Sequence, residues 1–294
     1  MATSVTPFLD TMRTVSAIKK TETVLPIVQK TVYVTPLVVG DDLALRTTLI
    51  SPTGYDRELI KLLVSHLEIK DHDGPIDING LCANISNIDK LSIIWALLKS
   101  TYEVFAENEE VQCSCEHEMQ IDIDVSELIH EDTYTLWDKV DDNDNLIPFN
   151  QYIYPIPIIN GDITYTFNTK LPTIQDNNDL LTLVPTDQIQ YNLEHIKSLF
   201  DQTLNMGLLI KSVKIESKNN EFESIETSNI NEILLALKQY IPNNIAHQFF
   251  NRYEDHFNKY APKYYKSFTC SKCGKINNHF VNLETSLFRK SLLD

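Results

Sequence analysis

The sequence predicts an α+β protein made of two similar halves that are joined by a four-cysteine zinc site. Segments in which apolar residues alternate lie beside segments with helical periodicity. A Pro-x-x-x-Gly-Asp element occurs twice, and a pair of cysteines follows each copy at a corresponding place. Each half is therefore expected to run strand, Gly-Asp turn, strand, helix and cysteine hairpin.

The composition of the 294-residue chain excludes several classes of function. Its 25 basic and 41 acidic residues give a formal charge of −16, which argues against bulk binding of nucleic acid or anionic lipid. The 7 glycines are scattered, so a Walker loop and a dinucleotide-binding fingerprint are excluded. No apolar run approaches the ~20 residues of a membrane span, and the start does not have the order of a secretory signal. A cytoplasmic protein with no membrane partner is expected.

The first half of the chain is expected to follow an N-terminal arm. Residues 1–30 are rich in threonine and lack clear periodicity, so they are expected to order only against the protein's own body or a partner. The first α+β half is then assigned to residues 31–150. Its patterns predict strands from Thr31, a helix over Arg57–Leu67 capped by Asp56, and a helix that begins at Ser86 or Asn87.

Residues 102–146 form the most acidic stretch, with 15 acidic residues against one basic residue, Lys139. Such a run is typical of a solvated face with a loop. Asp141–Asn145 also offers oxygen atoms at alternate positions, as a calcium-binding loop does. The sixth position of that loop is Leu146 instead of Gly, and the twelfth is Tyr152 instead of Glu, so the calcium interpretation fails.

The second α+β half is assigned to residues 151–294 and repeats features of the first. Pro157–Asp162 matches Pro36–Asp41, and the Ser-Asn-Ile run at Ser228 matches that at Ser86. Three such echoes in the same order, the cysteine pairs included, favour an internal duplication. Two further elements are predicted between strand and helix: a helix around Leu193–Leu204 and a strand over Leu208–Ile215.

Four of the 5 cysteines form two close pairs, and their spacing predicts a metal site. Cys270 and Cys273 are followed by Gly274, which permits the positive φ of a zinc-knuckle turn. Cys113 and Cys115 are expected to supply the other two thiolates, because zinc takes four sulfur ligands tetrahedrally. Four protein ligands leave no position for a water molecule, so the zinc is expected to be structural.

Other interpretations of these residues stay open. The cysteines can be buried residues without a metal, as is expected of the isolated Cys82. A redox pair is a further alternative, although strand-like residues follow Cys273 where a thioredoxin-like motif precedes a helix. His117 could replace Cys115 as a ligand, and His279 is a poorer candidate.

Residues 249–290 oppose the overall charge, with eight basic residues against three acidic ones. A basic, aromatic segment beside a zinc knuckle is typical of a protein that binds single-stranded nucleic acid. The favoured interpretation is instead the buried stripe of an amphipathic helix, whose basic face meets an acidic protein surface. The stripe is expected to contain Phe250, Tyr253, Phe257, Tyr260 and Tyr264.

A series of short motifs gives the chain a family resemblance. Leu25-Pro26 and a strand are followed by Pro36-Leu-Val-Val-Gly-Asp41, the helix start Ile85-Ser-Asn-Ile-Asp89, Thr101-Tyr102 and the Cys-x-Cys strand. This order resembles the baseplate hub or hub-assembly proteins of contractile-tailed bacteriophages of the T4 type. The resemblance covers residues 20–287. It implies a structural role in the tail baseplate through contacts with other tail or hub proteins, in the host cytoplasm during assembly or in the virion.

Two functions are therefore expected, in this order. The first is a non-enzymatic baseplate hub component or assembly factor that takes no small-molecule substrate. No nucleophile elbow and no metalloprotease helix occurs in the sequence, so no catalytic residue is predicted. The second is a zinc-ribbon protein that binds nucleic acid through residues 249–290, which a steep salt dependence of binding to single-stranded DNA would reveal.

Overall fold

The structure is a computed structural model whose described residues form two compact units. Residues 20–38, 40–41, 61–63, 65–69, 80, 84–102, 104–125, 128, 134–176, 179, 205–219, 224–281 and 283 are described. Each unit combines segments that are distant in sequence. Unit 1 takes in residues 1–78, 88–134 and 261–294, and unit 2 takes in residues 79–87 and 135–260.

The elements are short antiparallel strands and helices of 5 to 15 residues. In chain order they are β1 (Thr21–Leu25), β2 (Lys30–Val34), β3 (Leu67–Ile69), α1 (Asn87–Thr101), β4 (Val104–Gln112), β5 (Glu118–Asp124), β6 (Tyr154–Asn160), β7 (Ile163–Thr169), α2 (Asn205–Leu209), β8 (Ile210–Ser217), β9 (Ile225–Thr227), α3 (Ile230–Gln239), α4 (Asn243–Phe257), β10 (Tyr265–Thr269) and β11 (Ile276–Phe280). The described part of the chain contains no helix with the length and apolarity needed to cross a membrane.

Unit 1 is organised around helix α1. The unit also contains the antiparallel sheet β1-β2-β3 and the two hairpins β4-β5 and β10-β11. Residues 92–98 of α1 are all buried, as expected of a helix whose apolar residues occupy nearly its whole circumference. The ring of Trp95 stacks on that of Tyr264 at 6.0 Å between centroids, and the Lys99 amine lies 4.6 Å above the same indole.

Asp89 gives the Ile85–Asp89 motif a structural role. Its side chain is 0% exposed, and its carboxylate accepts a hydrogen bond of 2.9 Å from the backbone N–H of Ile27, in the turn between β1 and β2. This contact joins α1 to a strand pair that begins at Thr21. The strand pair of residues 21–34 is therefore part of the folded body of unit 1, whereas residues 1–19 of the predicted arm lie outside the described residues.

Unit 2 is a four-stranded antiparallel sheet of order β6-β7-β8-β9 that packs with helices. A Gly161-Asp162 turn connects β6 and β7, as predicted, and Gly161 has the positive φ of 63° that such a turn needs. Helix α4 lies against β6 and buries Phe249, whose ring contacts that of Phe167 on β7 at 5.2 Å between centroids.

The prediction of two similar halves is not confirmed. The first Gly-Asp pair, Gly40-Asp41, is helical and has no positive φ, whereas the second forms the hairpin turn at Gly161. Both cysteine pairs do follow a helix and occupy a hairpin turn. The second hairpin, however, comes after a four-stranded sheet and helices α2, α3 and α4, whereas among the described residues the first comes after a three-stranded sheet and helix α1.

Several element boundaries differ from the predictions. The described residues 61–63 and 65 are helical, but Leu67 begins β3 because it pairs with Val34. The acidic stretch contains strands β4 and β5 in addition to loop. The strand predicted over Leu208–Ile215 is β8, which begins at Ile210, and the helix predicted at Leu193–Leu204 lies outside the described residues.

The aromatic residues around α4 are buried, as the amphipathic interpretation predicts, but in a different register. Phe249 is fully buried and Phe250 only partly, since Ala246, Phe249, Tyr253 and Phe257 share the buried face. The helix ends at Phe257. Tyr260 and Tyr264 are therefore buried beyond the helix and do not extend its stripe.

His256 on α4 is expected to make a pH-dependent contribution to stability. Its Nε2 lies 3.1 Å from the Tyr152 hydroxyl, and its ring stacks on Tyr154 at 3.6 Å between centroids. Burial, with the charges of Lys139 and Lys259, lowers the pKa of His256 to about 4. Because the unfolded chain takes up this proton first, near the ordinary pKa of histidine, the free energy of unfolding is expected to fall as the pH drops from about 6.5 to 4.

Urea unfolding across this pH range checks the expectation. His256→Gln should flatten the decrease, whereas His247→Gln, at an exposed position of the same helix, should leave it unchanged. An identical pH profile in the wild-type protein and in His256→Gln would show that His256 stays free to titrate in the folded state.

Candidate metal centre

Two hairpin turns of unit 1 carry the four cysteines. Cys113 and Cys115 lie in the turn between β4 and β5, where the Cys113 N–H donates to the carbonyl of His117 at 2.9 Å. Cys270 and Cys273 lie in the turn between β10 and β11, where the Cys270 N–H donates to a carbonyl across the turn, also at 2.9 Å. In both hairpins the first cysteine thus makes a backbone hydrogen bond across the turn, and the thiols lie in the loop.

The residue after the second cysteine adopts a left-handed conformation in both turns. Gly274 has a φ of 70°, as predicted from its identity, and its N–H donates to the Cys270 carbonyl at 2.9 Å. Glu116 has a φ of 64° at the corresponding place, and its N–H donates to the Cys113 carbonyl at 2.8 Å. The unequal spacings Cys-x-Cys and Cys-x-x-Cys therefore produce similar turns, and the strained position carries glycine in only one of them.

The four sulfur atoms form a compact cluster that could hold a metal ion. All four lie within 4.8 Å of one another, with 3.6 Å between the Sγ atoms of Cys113 and Cys273 and 3.7 Å between those of Cys115 and Cys270. A disulfide has an S–S distance near 2.05 Å, so these thiols are free. Four sulfurs at about 2.3 Å from one tetrahedral ion are about 3.8 Å apart, which agrees with the observed distances.

Asn277 on β11 connects the two turns and was missed in the sequence. Its side-chain N–H donates to the Cys113 sulfur at 3.3 Å and to the Lys275 carbonyl at 3.0 Å, and its oxygen accepts from the Ser114 N–H at 3.4 Å. Such contacts outside the ligand set orient metal-binding thiolates. The sequence feature that could have indicated it is an asparagine within a strand-like segment, because asparagine is depleted in strands.

The two histidines considered as ligands take other positions. The Nε2 of His117 lies 3.1 Å from the Ser271 hydroxyl, where it forms a second link between the turns. His279 lies on β11 opposite Lys266. Neither belongs to the cluster that the described residues offer to a metal, which consists of the four cysteines alone.

The surroundings of the thiols separate their pKa values. The backbone N–H of Cys115 and hydrogen bonds from the other three thiols stabilise a thiolate at Cys113, which lowers its pKa to about 6 despite desolvation. At Cys273 the hydrogen bond from the Lys275 backbone N–H also lowers the pKa. Desolvation and the neighbouring sulfurs outweigh this effect and raise the pKa to about 11. A metal ion that binds all four thiolates must therefore displace protons, so its affinity rises with pH.

Replacement of Gly274 by alanine tests the knuckle turn. A Cβ atom at this position meets no atom within 4 Å, so the cost is that of the positive φ alone, about 1 kcal/mol. Denaturant unfolding should show this loss, and a chelator should extract a metal ion loaded onto the cluster faster. Gly40→Ala is the matched control, because Gly40 has equally open space and no positive φ. Equal effects of the two substitutions would contradict the assigned turn.

Comparisons of the chain with protein-family models, with curated proteins and with solved structures gave no match.

Proposed function

We propose that this chain is a non-enzymatic component of a bacteriophage tail baseplate hub, or a factor in hub assembly, that acts through contacts with other tail proteins. A structural zinc ion bound by Cys113, Cys115, Cys270 and Cys273 would hold unit 1 together. The closed set of four sulfurs contributed by two hairpins supports the structural ion, and the hub role is supported by the motif order alone. The order of sequence motifs that resembles the hub family adds the cellular context.

The donor set favours zinc in a structural role. Thiolates select soft or borderline ions, and four of them at tetrahedral spacing are typical of zinc sites that stabilise a fold. With four protein ligands, such an ion has no position left for a water molecule or a substrate. The two turns are separated by 155 residues between Cys115 and Cys270, so the ion would close a long loop of the chain.

The competing function, binding of single-stranded nucleic acid through residues 249–290, has less support. Stacking with bases needs exposed aromatic rings. Five aromatic residues of the segment are at most 9% exposed, namely Phe249, Tyr253, Phe257, Tyr260 and Tyr264, whereas Phe280 is 62% exposed. Two basic residues of the segment are also engaged, since Lys259 pairs with the Asp138 carboxylate at 2.7 Å and Arg252 donates to the Pro157 carbonyl.

Affinity capture from infected cells tests the proposal. The tagged full-length chain, expressed during infection by the phage that encodes it, should retain baseplate or hub proteins in near-stoichiometric amounts after a wash at high salt. The tag alone and an unrelated tagged acidic protein are the controls. Retention of replication proteins with single-stranded DNA, lost steeply as salt rises, would instead establish the nucleic-acid alternative.

A further inference from the structure

The β10-β11 hairpin presents an exposed apolar face beside the metal centre. In the antiparallel register Tyr265 pairs with Phe280, and Thr269 pairs with Ile276, so all four side chains lie on one face. Ile276 is 76% exposed and Phe280 is 62% exposed. These two side chains are separated by four residues of β11, or about 13 Å. The polar pair of Ser267 and Asn278, whose side chains are 2.9 Å apart, lies between them, so the face offers two separate apolar anchors.

The charge of this hairpin is opposite to that of the chain. Residues 261–281 contain four lysines and no acidic residue, whereas the whole chain has a formal charge of −16. Lys272 and Lys275 lie in the exposed knuckle turn, next to Ile276. The surface thus combines two apolar anchors with a positive charge at one end.

We propose that this face of the β10-β11 hairpin is a docking surface for an acidic, extended segment of another protein. The segment would place apolar side chains on Ile276 and Phe280 and carboxylates beside Lys272 and Lys275. The inference rests on the proposed function in one respect, namely that the partner is a tail protein.

Charge complementarity favours a short acidic segment over nucleic acid or a second copy. At physiological ionic strength charges act over about 8 Å, so a short segment on the hairpin interacts mainly with the nearby lysines. A polynucleotide extends farther and meets the rest of an acidic protein. Hairpin β4-β5, whose residues 104–124 contain seven acidic residues and no lysine or arginine, meets the opposite face of β11 through the contact between Asn277 and Cys113, so a short segment on the Ile276 face is turned away from it. Two copies of this chain each carry the charge of −16 and repel one another.

The metal centre would keep this surface in a fixed geometry. Cys270 and Cys273 are in the same turn as Lys272, and Asn277, on the opposite face of β11 from Ile276, donates to the Cys113 sulfur. A preordered surface loses less conformational entropy when a partner binds. The cluster would thus contribute to binding indirectly. It would hold the hairpin in place and would not itself contact the partner.

Zero-length cross-linking tests the surface, because a carbodiimide joins lysine amines directly to carboxylates. The full-length chain is treated in lysate of infected cells, and the linked peptides are identified by mass spectrometry. We expect links from Lys272 or Lys275 to Asp or Glu of another protein, well above those from the exposed lysines Lys211 and Lys238.

Ile276→Thr with Phe280→Thr should reduce the links at least about tenfold, since it removes both apolar anchors. Tyr240→Thr, at a 73% exposed position of unit 2, should not.

The zinc content and circular dichroism of the double variant must match those of the wild type, so that the loss reports the surface. Links only to a second copy, single-stranded DNA bound through Lys272 and Lys275, or links no more frequent than those of the control lysines would overturn the inference. Capture of tail proteins that is insensitive to the double substitution would overturn the surface and leave the proposed function intact. Links to an acidic segment of a protein that is not a tail protein would support the surface and refute the proposed function.

Discussion

Cys270→Ser is expected to abolish the metal binding proposed for the four-cysteine cluster and to lower the thermal unfolding midpoint by roughly 10 °C. Cys270 is 1% exposed, and its sulfur lies 3.7 Å from that of Cys115. A serine hydroxyl does not replace a thiolate as a zinc ligand, and loss of a structural metal belongs to the substitutions that cost more than about 4 kcal/mol. In a unit of this size each kcal/mol shifts the midpoint by about 2–4 °C. Differential scanning calorimetry together with metal analysis measures both effects.

Ser114→Ala is the matched control for the cysteine substitution. Ser114 lies in the other cysteine turn, between the proposed ligands Cys113 and Cys115, but its side chain is exposed. Its contact with Asn277 uses the backbone N–H, which alanine retains. The metal content and midpoint of this variant should match the wild type. A wild-type midpoint that does not respond to a strong chelator would show that the cluster contributes no metal-dependent stability.

Phe249→Ala is expected to lower the free energy of unfolding by about 3–5 kcal/mol. Phe249 is 0% exposed. Its ring centroid lies 5.2 Å from that of Phe167 on the sheet of unit 2 and 6.1 Å from that of Tyr253 on α4. Its removal leaves a cavity that the surrounding rings cannot fill. Urea unfolding measures the loss.

The neighbouring residue provides the comparison for this prediction. Phe250 is only partly buried, and Phe250→Ala should therefore cost clearly less than Phe249→Ala. Retention on single-stranded DNA should be the same for the wild type and both variants. If Phe249→Ala instead left stability unchanged and weakened retention on DNA, Phe249 would be a base-stacking residue, and the nucleic-acid alternative would replace the proposed function.

Local patterns in the sequence predict several elements of this fold. Helix α1 begins at Asn87, one of the two starts expected, and the β6-β7 hairpin turns at Gly161, where the positive φ requires a residue such as glycine. Predictions that depend on distant contacts were less accurate. Leu67 is a strand residue because of its pairing with Val34, which its own helical pattern cannot indicate. The repeated Gly-Asp pair was misleading for the same reason, since Asp41 binds His66 instead of forming a hairpin turn.

The candidate metal centre was predictable to a greater extent than the fold. Thiolate chemistry restricts the possible ligands to a few residue types, so four cysteines in two close pairs are informative without knowledge of the intervening chain. The supporting contacts were not predictable. Asn277 and His117 connect the two turns through side chains whose positions depend on how the hairpins meet. The left-handed conformation of Glu116 could not be predicted either, because glutamate is not a residue type that favours a positive φ.

The zinc content of the native protein tests the central claim most directly. The full-length chain, purified without chelator, is analysed for metals by mass spectrometry, and its thiols are titrated before and after addition of a chelator. We expect about one zinc ion per chain, with four thiols that become reactive only once the metal has been removed. Less than about a tenth of an ion per chain, with all 5 thiols reactive in the untreated native protein, would contradict the account.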